Sequence, residues 1–397
     1  MKEQQRNRQE YRSRVARLAK LARREKLDCV AIFDDVNTFY YTGTVQKGVL
    51  IVSSQGASVY FVRRNYDRAC KEAHVQELVA MRSFRSVKGK LRDLGIGSRV
   101  IGLAKSQLPL SLFELFKKYL PEKTTFVDLS QDILHLRAKK SPEEVEKLKL
   151  AGRAQAEVFD NIPSMLHEGM TEWQLGTKIR SKMMEKGDSG VTRLSSFDST
   201  FSCGCVSFGD SGNYPAAFDG PGGGRGLSRA MPVIGSHRCL EANSPILVDF
   251  VFSHEGYFVD RTRIYCLGSL GQELLDAQSQ CMKVQEEIIA RLRPGAIPSE
   301  IYESVKSQID DWGIQDGFMG FGSNKVSFFG HGIGLVVDEY PVIAPKFDTP
   351  LEEGMVVAVE PKRAIEGLGL MGIENTWLIT REFPMKLTPG SDEIRFL

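Results

Sequence analysis

No stretch of this 397-residue chain stays apolar for the roughly 18 residues that a membrane-spanning helix needs, so a membrane protein is not expected. The opening residues, MKEQQRNRQEYRSR, lack the apolar core of a secretory signal. Net charge is almost absent: 52 basic against 50 acidic residues leave +2, which gives no whole-chain reason to expect nucleic acid or an anionic membrane as partner. The seven cysteines are odd in number and irregularly spaced, which argues against a disulfide framework and suits free thiols in a reducing compartment. A cytoplasmic protein is therefore expected. Cys203 and Cys205 alternate along an expected strand and read as buried small residues, not as a metal or redox pair. The glycine-rich run Asp219-Gly220-Pro221-Gly222-Gly223-Gly224-Arg225-Gly226 lacks the Lys-Ser/Thr of a phosphate-binding loop. With the irregular sequence around it (203–245), it is expected to form a mobile loop over an active site.

What is present points to an α/β (α+β) chain in two domains, since its length exceeds what one hydrophobic core usually serves. Residues 1–27 are rich in Arg and Lys, with Val15, Leu18, Leu21 and Ala22 at helical spacing, and predict an amphipathic helix with a solvated basic face. Strands are expected at 29–33, 49–52, 58–62 and 99–103, with helices near 65–75 and 108–120. Nothing before about residue 135 assembles a reactive group of side chains. The boundary is set at 136/137: Ser141 can cap a helix with Pro142 at its first position and acids in its first turn, and that helix runs to about Leu166. An internal echo follows. Leu166-His167-Glu168-Gly169-Met170-Thr171-Glu172 resembles Leu292-Arg293-Pro294-Gly295-Ala296-Ile297-Pro298, each with a glycine between helices and a polar cap expected to open the next one. Two helix-helix-strand units suggest a pseudo-symmetric second domain (137–397) with a site between its halves.

Within that domain, ILVDFVFSHEGYFVDRTR (246–263) reads as two apolar strands around turn residues. A two-residue loop of His254 and Glu255 sets Asp249 opposite Asp260, two carboxylates on one face with Cβ atoms roughly 5 Å apart. Such a pair needs a proton or a cation between its members. Downstream, His331 is framed by Gly330 and Gly332, which leave the imidazole accessible. Glu360 ends the apolar run 355–359, and Glu374 is expected to face it across a second hairpin whose loop is Glu366-Gly367-Leu368. Acids on apolar strands are costly unless paired or metal-bound. Four carboxylates and one imidazole suit two divalent ions, Mn, Co, Zn or Fe, in a hydrolytic site.

In this order and context, Asp249, Asp260, His331, Glu360 and Glu374 resemble the ligand set of the pita-bread metallopeptidases, which include methionine aminopeptidase, aminopeptidase P, prolidase and the metal-free creatinase. The motifs VD, VDRTR, GHGIGL, EGM…EP and GIENT carry the resemblance over 137–397. The first domain, with Tyr40-Tyr41-Thr42-Gly43, is similar to the smaller domain of the prolidase, aminopeptidase P and creatinase branch. The resemblance implies a creatinase/prolidase-type N-terminal domain, a C-terminal pita-bread domain, a homodimer, and hydrolysis of C–N bonds in small peptides or amides, Xaa-Pro bonds by default. Glu360 would pass a proton to the leaving nitrogen.

Two departures stand out. The family's proline-directed peptidases carry two further histidines beside the scissile bond. At one of those positions this chain has Asp338; at the other it has Pro232-Val233 or Pro215-Ala216, with His237 nearby as a substitute. Asp338 is accordingly expected at the substrate, where its charge would favour an amino or other cationic group. A metal-dependent hydrolase or lyase of a non-peptide metabolite is the alternative reading, and a binding module on the same fold a third.

Overall fold

Near-continuous apolar runs such as GVLIVS and SVYFV are the pattern of strands covered on both faces, and in the computed structural model they lie at the centre of a six-stranded sheet. The structure describes residues 2–195, 204–215, 220–230, 235–322 and 325–397, in two units, Met1–Arg137 and Ala138–Leu397. In the first unit, β1 (Cys29–Ile32), β2 (Gly48–Ser53), β3 (Ser58–Val62), β4 (Glu77–Ala80), β5 (Val100–Leu103) and β6 (Thr125–Asp128) run in the order β4-β3-β2-β1-β5-β6. The expected helices appear at Tyr66–Glu72 and Leu110–Lys117. The strands that the sequence pattern did not mark, β4 and β6, are four-residue edge strands, less covered than the centre and so without a clear apolar run. Val15, Leu18, Leu21 and Ala22 of helix Lys2–Arg24 are buried as their spacing predicts. Arg14 departs from the expected solvated face: it is buried, donates to the Tyr40 carbonyl at 2.9 Å and lies 4.3 Å from that residue's ring centroid. Among the described residues no helix is long and apolar enough to cross a membrane.

The second unit opens at Ser141, which caps helix Pro142–Asn161. Its Oγ accepts from the Glu144 N–H, and its own N–H donates to the Glu144 carboxylate. A short 3-10 turn, Ile162–Met165, carries the helix to Leu166. The internal echo is structural: Gly169 (φ +79°) and Gly295 (φ +89°) both take the left-handed conformation, ahead of helices Glu172–Glu185 and Pro298–Asp311. The copies differ at the cap. Thr171 forms a capping box with Gln174, whereas the later helix opens on Pro298 with Ile297 at the cap position and no side-chain cap. Proline at the first position has no N–H to satisfy there.

Two sheets and a hairpin make the rest. Strands β7 (Gly204–Phe208), β8 (Pro245–His254), β9 (Tyr257–Cys266) and, at the C-terminus, β17 (Arg395–Phe396) form one sheet in the order β17-β9-β8-β7. The second contains β10 (Gly330–Ile333), β11 (Val337–Val342), β12 (Val356–Val359), β15 (Asn375–Leu378) and β16 (Met385–Lys386), ordered β11-β10-β12-β15-β16, while β13 (Lys362–Ile365) and β14 (Gly369–Gly372) pair with each other. Strand β7 corrects the expectation of an irregular 203–245 segment; Cys203 and Asp219 lie outside the described residues.

Lys140, just before the cap, reaches Glu339 of β11 at 3.1 Å, and both side chains are fully buried. Removing one member of a buried ion pair is strongly destabilising, because it leaves the other charge less compensated. Lys140→Met is therefore expected to cost about 3–5 kcal/mol in urea denaturation, and the double variant Lys140→Met/Glu339→Leu to recover most of that loss. A single variant as stable as the parent would contradict this account.

Candidate metal centre

The first hairpin turns on Glu255 and Gly256, not on His254 and Glu255. Both turn residues have positive φ, +48° and +84°, the geometry of a two-residue loop that glycine at the second position favours. The register therefore moves: Asp249 stands opposite Thr262, and Asp260 opposite Val251. Asp249 and Asp260 are diagonal neighbours, not the directly opposed pair expected, yet they remain on one face because the shift is by two residues. Cys205 of β7 flanks Asp249 on its other side and donates to the Gly223 carbonyl at 3.7 Å, so part of the glycine-rich segment does border this face.

The second hairpin follows expectation, with residues 366–368 as its loop. Its ladder pairs Ile365 with Gly369 and Lys362 with Gly372, and β12 and β15 continue the same register with Val359 opposite Asn375. Glu360 and Glu374 face each other in the gap between these two ladders. His331, on β10, pairs with Ala358 of β12. The two sheets meet at Thr262 and Glu374, which exchange backbone hydrogen bonds at 3.4 Å; the Thr262 hydroxyl also donates to Glu374 Oε2 at 2.9 Å. Arg263 clamps the junction, donating to the Glu374 carbonyl, the Asn375 side chain and Asp392.

All five expected residues converge, and a sixth that the sequence reading missed lies among them. Lys362 Nζ is 2.5 Å from Glu360 Oε2, 3.1 Å from Asp249 Oδ2 and 3.3 Å from Glu374 Oε2, and its side chain is 1% exposed. The other oxygens of the two glutamates face His331 Nε2, Glu360 Oε1 at 3.4 Å and Glu374 Oε1 at 3.8 Å. A signal for Lys362 was available: it follows Glu360 by two residues, the spacing that returns a strand to the same face. Its cross-strand partner is Gly372, where a Cβ would come 2.6 Å from the lysine Cγ.

Charge and burial set the protonation preferences. Burial, then the neighbouring Asp249, pushes Asp260 up to about 8. Burial, then Asp260, raises Glu374 well above the carboxylate range. Glu360 goes the other way, to about 2: burial opposes ionisation, but Lys362 and His331 outweigh it. Burial likewise opposes charge on Lys362, and the three carboxylates overcome it.

Asp260, His331 and Glu374 can each bring one ligand atom within 4.8 Å of the others. Glu374 Oε1 is buried and accepts no hydrogen bond, a condition that costs free energy unless a cation satisfies it. Hard oxygens with one imidazole fit a divalent ion there. With its proton on Nδ1, shared with the Gly332 carbonyl at 3.1 Å, His331 presents the Nε2 lone pair to that position.

Asp338 lies beside His331, with its side chain 40% exposed. Its Oδ1 is 3.5 Å from His331 Nδ1, so it backs the imidazole from the side away from the glutamates. His237 is exposed, and among the described residues no hydrogen bond or ion pair joins it to the cluster. Ala216, Pro232 and Val233 lie outside the described residues. Glu172 pins both ends of the segment that precedes His237, accepting from the Phe208 N–H at 2.9 Å, the Ser236 N–H at 2.7 Å and the Ser236 hydroxyl at 2.5 Å.

Comparison with known proteins agrees with this geometry. Residues 146–381 match the model of metallopeptidase family M24, and residues 14–139 match the creatinase/prolidase N-terminal domain. The chain belongs to metallopeptidase family M24, and its resemblance to the pita-bread enzymes is borne out. It is 25% identical over 386 residues to an Xaa-Pro dipeptidase of Pyrococcus furiosus, covering 96% of this chain and 99% of that one. It is 27% identical over 293 residues to an Xaa-Pro dipeptidase of Lactobacillus delbrueckii subsp. lactis, covering 74% and 71%. The solved Xaa-Pro dipeptidase from Bacillus anthracis superposes with a TM-score of 0.80 at 23% identity, over 97% of this chain and 100% of that one.

Loss of a carboxylate that backs a metal-binding histidine commonly weakens metal affinity about 10–100-fold. Asp338→Asn is expected to weaken manganese binding by about tenfold or more in titration calorimetry. Unchanged affinity would show that Asp338 does not act through His331.

Proposed function

We propose that this chain is a metal-dependent hydrolase of C–N bonds that cleaves Xaa-Pro bonds in small peptides. The observation that carries the reading is the orphaned Glu374 Oε1, buried beside Asp260 and His331 in a chain of this family. Asp260, His331 and Glu374 would hold a divalent ion, Mn, Co, Zn or Fe, with Glu360 alongside. When bound, such an ion polarises the scissile carbonyl and acidifies the attacking water. Glu360 is the group placed to move the proton: its Oε1 faces the ligand position, and Lys362 and His331 hold it ionised. Asp338 is a positioning residue, holding the His331 ring through Nδ1. His237 remains a candidate for substrate contact from the rim.

A homodimer is proposed with the family resemblance, to be checked by light scattering. A cytoplasmic location is proposed because six described cysteines, Cys29, Cys70, Cys205, Cys239, Cys266 and Cys281, are free thiols. One observation favours a second reading, a hydrolase or lyase of a non-peptide metabolite: Asp338 stands where the proline-directed relatives are expected to carry histidine.

The purified chain should cleave a panel of Xaa-Pro dipeptides and short Xaa-Pro peptides when supplied with manganese or cobalt. A chelator should abolish the activity, and re-addition of metal restore it. Metal-loaded protein inert toward every Xaa-Pro bond would turn the assignment to the metabolite reading.

A further inference from the structure

Cations and carboxylates in the cluster divide into two groups. Asp249 Oδ2, Glu360 Oε2 and Glu374 Oε2 surround the Lys362 ammonium at 3.1, 2.5 and 3.3 Å. Glu360 Oε1 and Glu374 Oε1, with Asp260, face His331. The two glutamates thus bridge an ammonium on one side and the candidate ion position on the other, as carboxylates bridge paired cations. A metal ion on the lysine side would need those same three oxygens at about 2.0–2.2 Å. The space it would fill already contains Nζ, and two unscreened cations so close would repel.

The lysine is built into this place. It opens β13 in register with β14, its stem packs where Gly372 has no Cβ, and its carbonyl accepts from the Met319 N–H at 2.8 Å. One ammonium and one divalent ion bring three positive charges to the four carboxylates Asp249, Asp260, Glu360 and Glu374, whereas two divalent ions beside the ammonium would bring five. We propose that the Lys362 side chain replaces one of two metal ions, so that each chain binds a single divalent ion, at Asp260, His331 and Glu374. This rests on the metal-dependent reading above and revises the two-ion expectation drawn from the ligand set. The centre is then a hybrid, with one exchangeable cation and one that is covalently part of the chain. Asp249 serves the lysine instead of an ion.

The test is metal content, independent of turnover. The full-length chain is equilibrated with excess manganese chloride, freed of unbound ion, and its manganese counted by elemental analysis. In parallel, anomalous difference maps are calculated from crystals grown in manganese. The wild-type chain should hold one ion, with one anomalous peak beside His331 and none within bonding distance of Asp249. Lys362→Ala and Lys362→Gly, which open the space and remove the charge, should each hold two. Two ions in the wild type, with the lysine swung aside, would overturn the inference while leaving the metal-dependent function standing. Wild-type protein that binds none would overturn that function and the inference with it. Folded variants that still bind one ion would show that the lysine is not what excludes the second. If neither variant folds, the count and the anomalous map of the wild type decide.

Discussion

Four carboxylates held together out of water repel one another. At an effective dielectric of about 20, each like pair some 4 Å apart costs about 4 kcal/mol. Two hairpins from separate sheets nevertheless bring Asp249, Asp260, Glu360 and Glu374 to one place. The hydrogen bonds that join the sheets at Thr262 and Glu374, and the Arg263 clamp behind them, hold the acids there. Positive charge inside the cluster is thus a condition of the architecture. Lys362 meets part of it, and the upward shifts of Asp260 and Glu374 mark the part still unmet. That unmet part lies on the His331 side, where Asp260, His331 and Glu374 come together and a proton or a cation would satisfy it.

Much of this was legible in the sequence because strands write their faces in a period of two. The hairpin around Glu366-Gly367-Leu368, the capped helix at Ser141 and the convergence of five ligand-type residues could all be read from local pattern and family likeness. What escaped did so for definite reasons. The first hairpin's turn was misplaced by one residue, because Ser253 to Gly256 all suit a turn and only the pairing of positive φ with Gly256 chooses among the frames. The polar cap expected to open the second copy's helix is absent: Ile297 holds that position, ahead of Pro298. Lys362 escaped because a lysine is usually a surface residue, and nothing local reveals that the facing position, Gly372, makes room for its stem. The contact of Asp338 with His331 depends on how β11 returns beside β10, which no local pattern shows.

The two hairpins also divide the labour. Strands β8 and β9 supply Asp249 and Asp260 from a sheet whose inner residues are almost wholly buried, so their positions are fixed by packing. Glu360 and Glu374 sit instead at an interruption between two ladders of common register. There the ladder between the two strands lapses for two residues on each side, Glu360-Pro361 and Ile373-Glu374, and the carboxylates turn one oxygen each way. A continuous ladder would have fixed them as an ordinary cross-strand pair. The interruption is what makes them bridges.

Glu172 gives the long connection between Phe208 and Ser236 an unusual freedom. Because that connection leaves and returns at a single carboxylate, its ends are tied whatever lies between them, and each doubling of such a loop adds only about 0.6 kcal/mol of closure entropy. Its first residues are fastened to the second hairpin, Asn213 Nδ2 donating to the Ile365 carbonyl at 2.8 Å, but beyond them its contents can change with little tug on the strands that carry the acids. A lineage could in this way trade one diet for another by editing the rim alone, inheriting its chemistry intact.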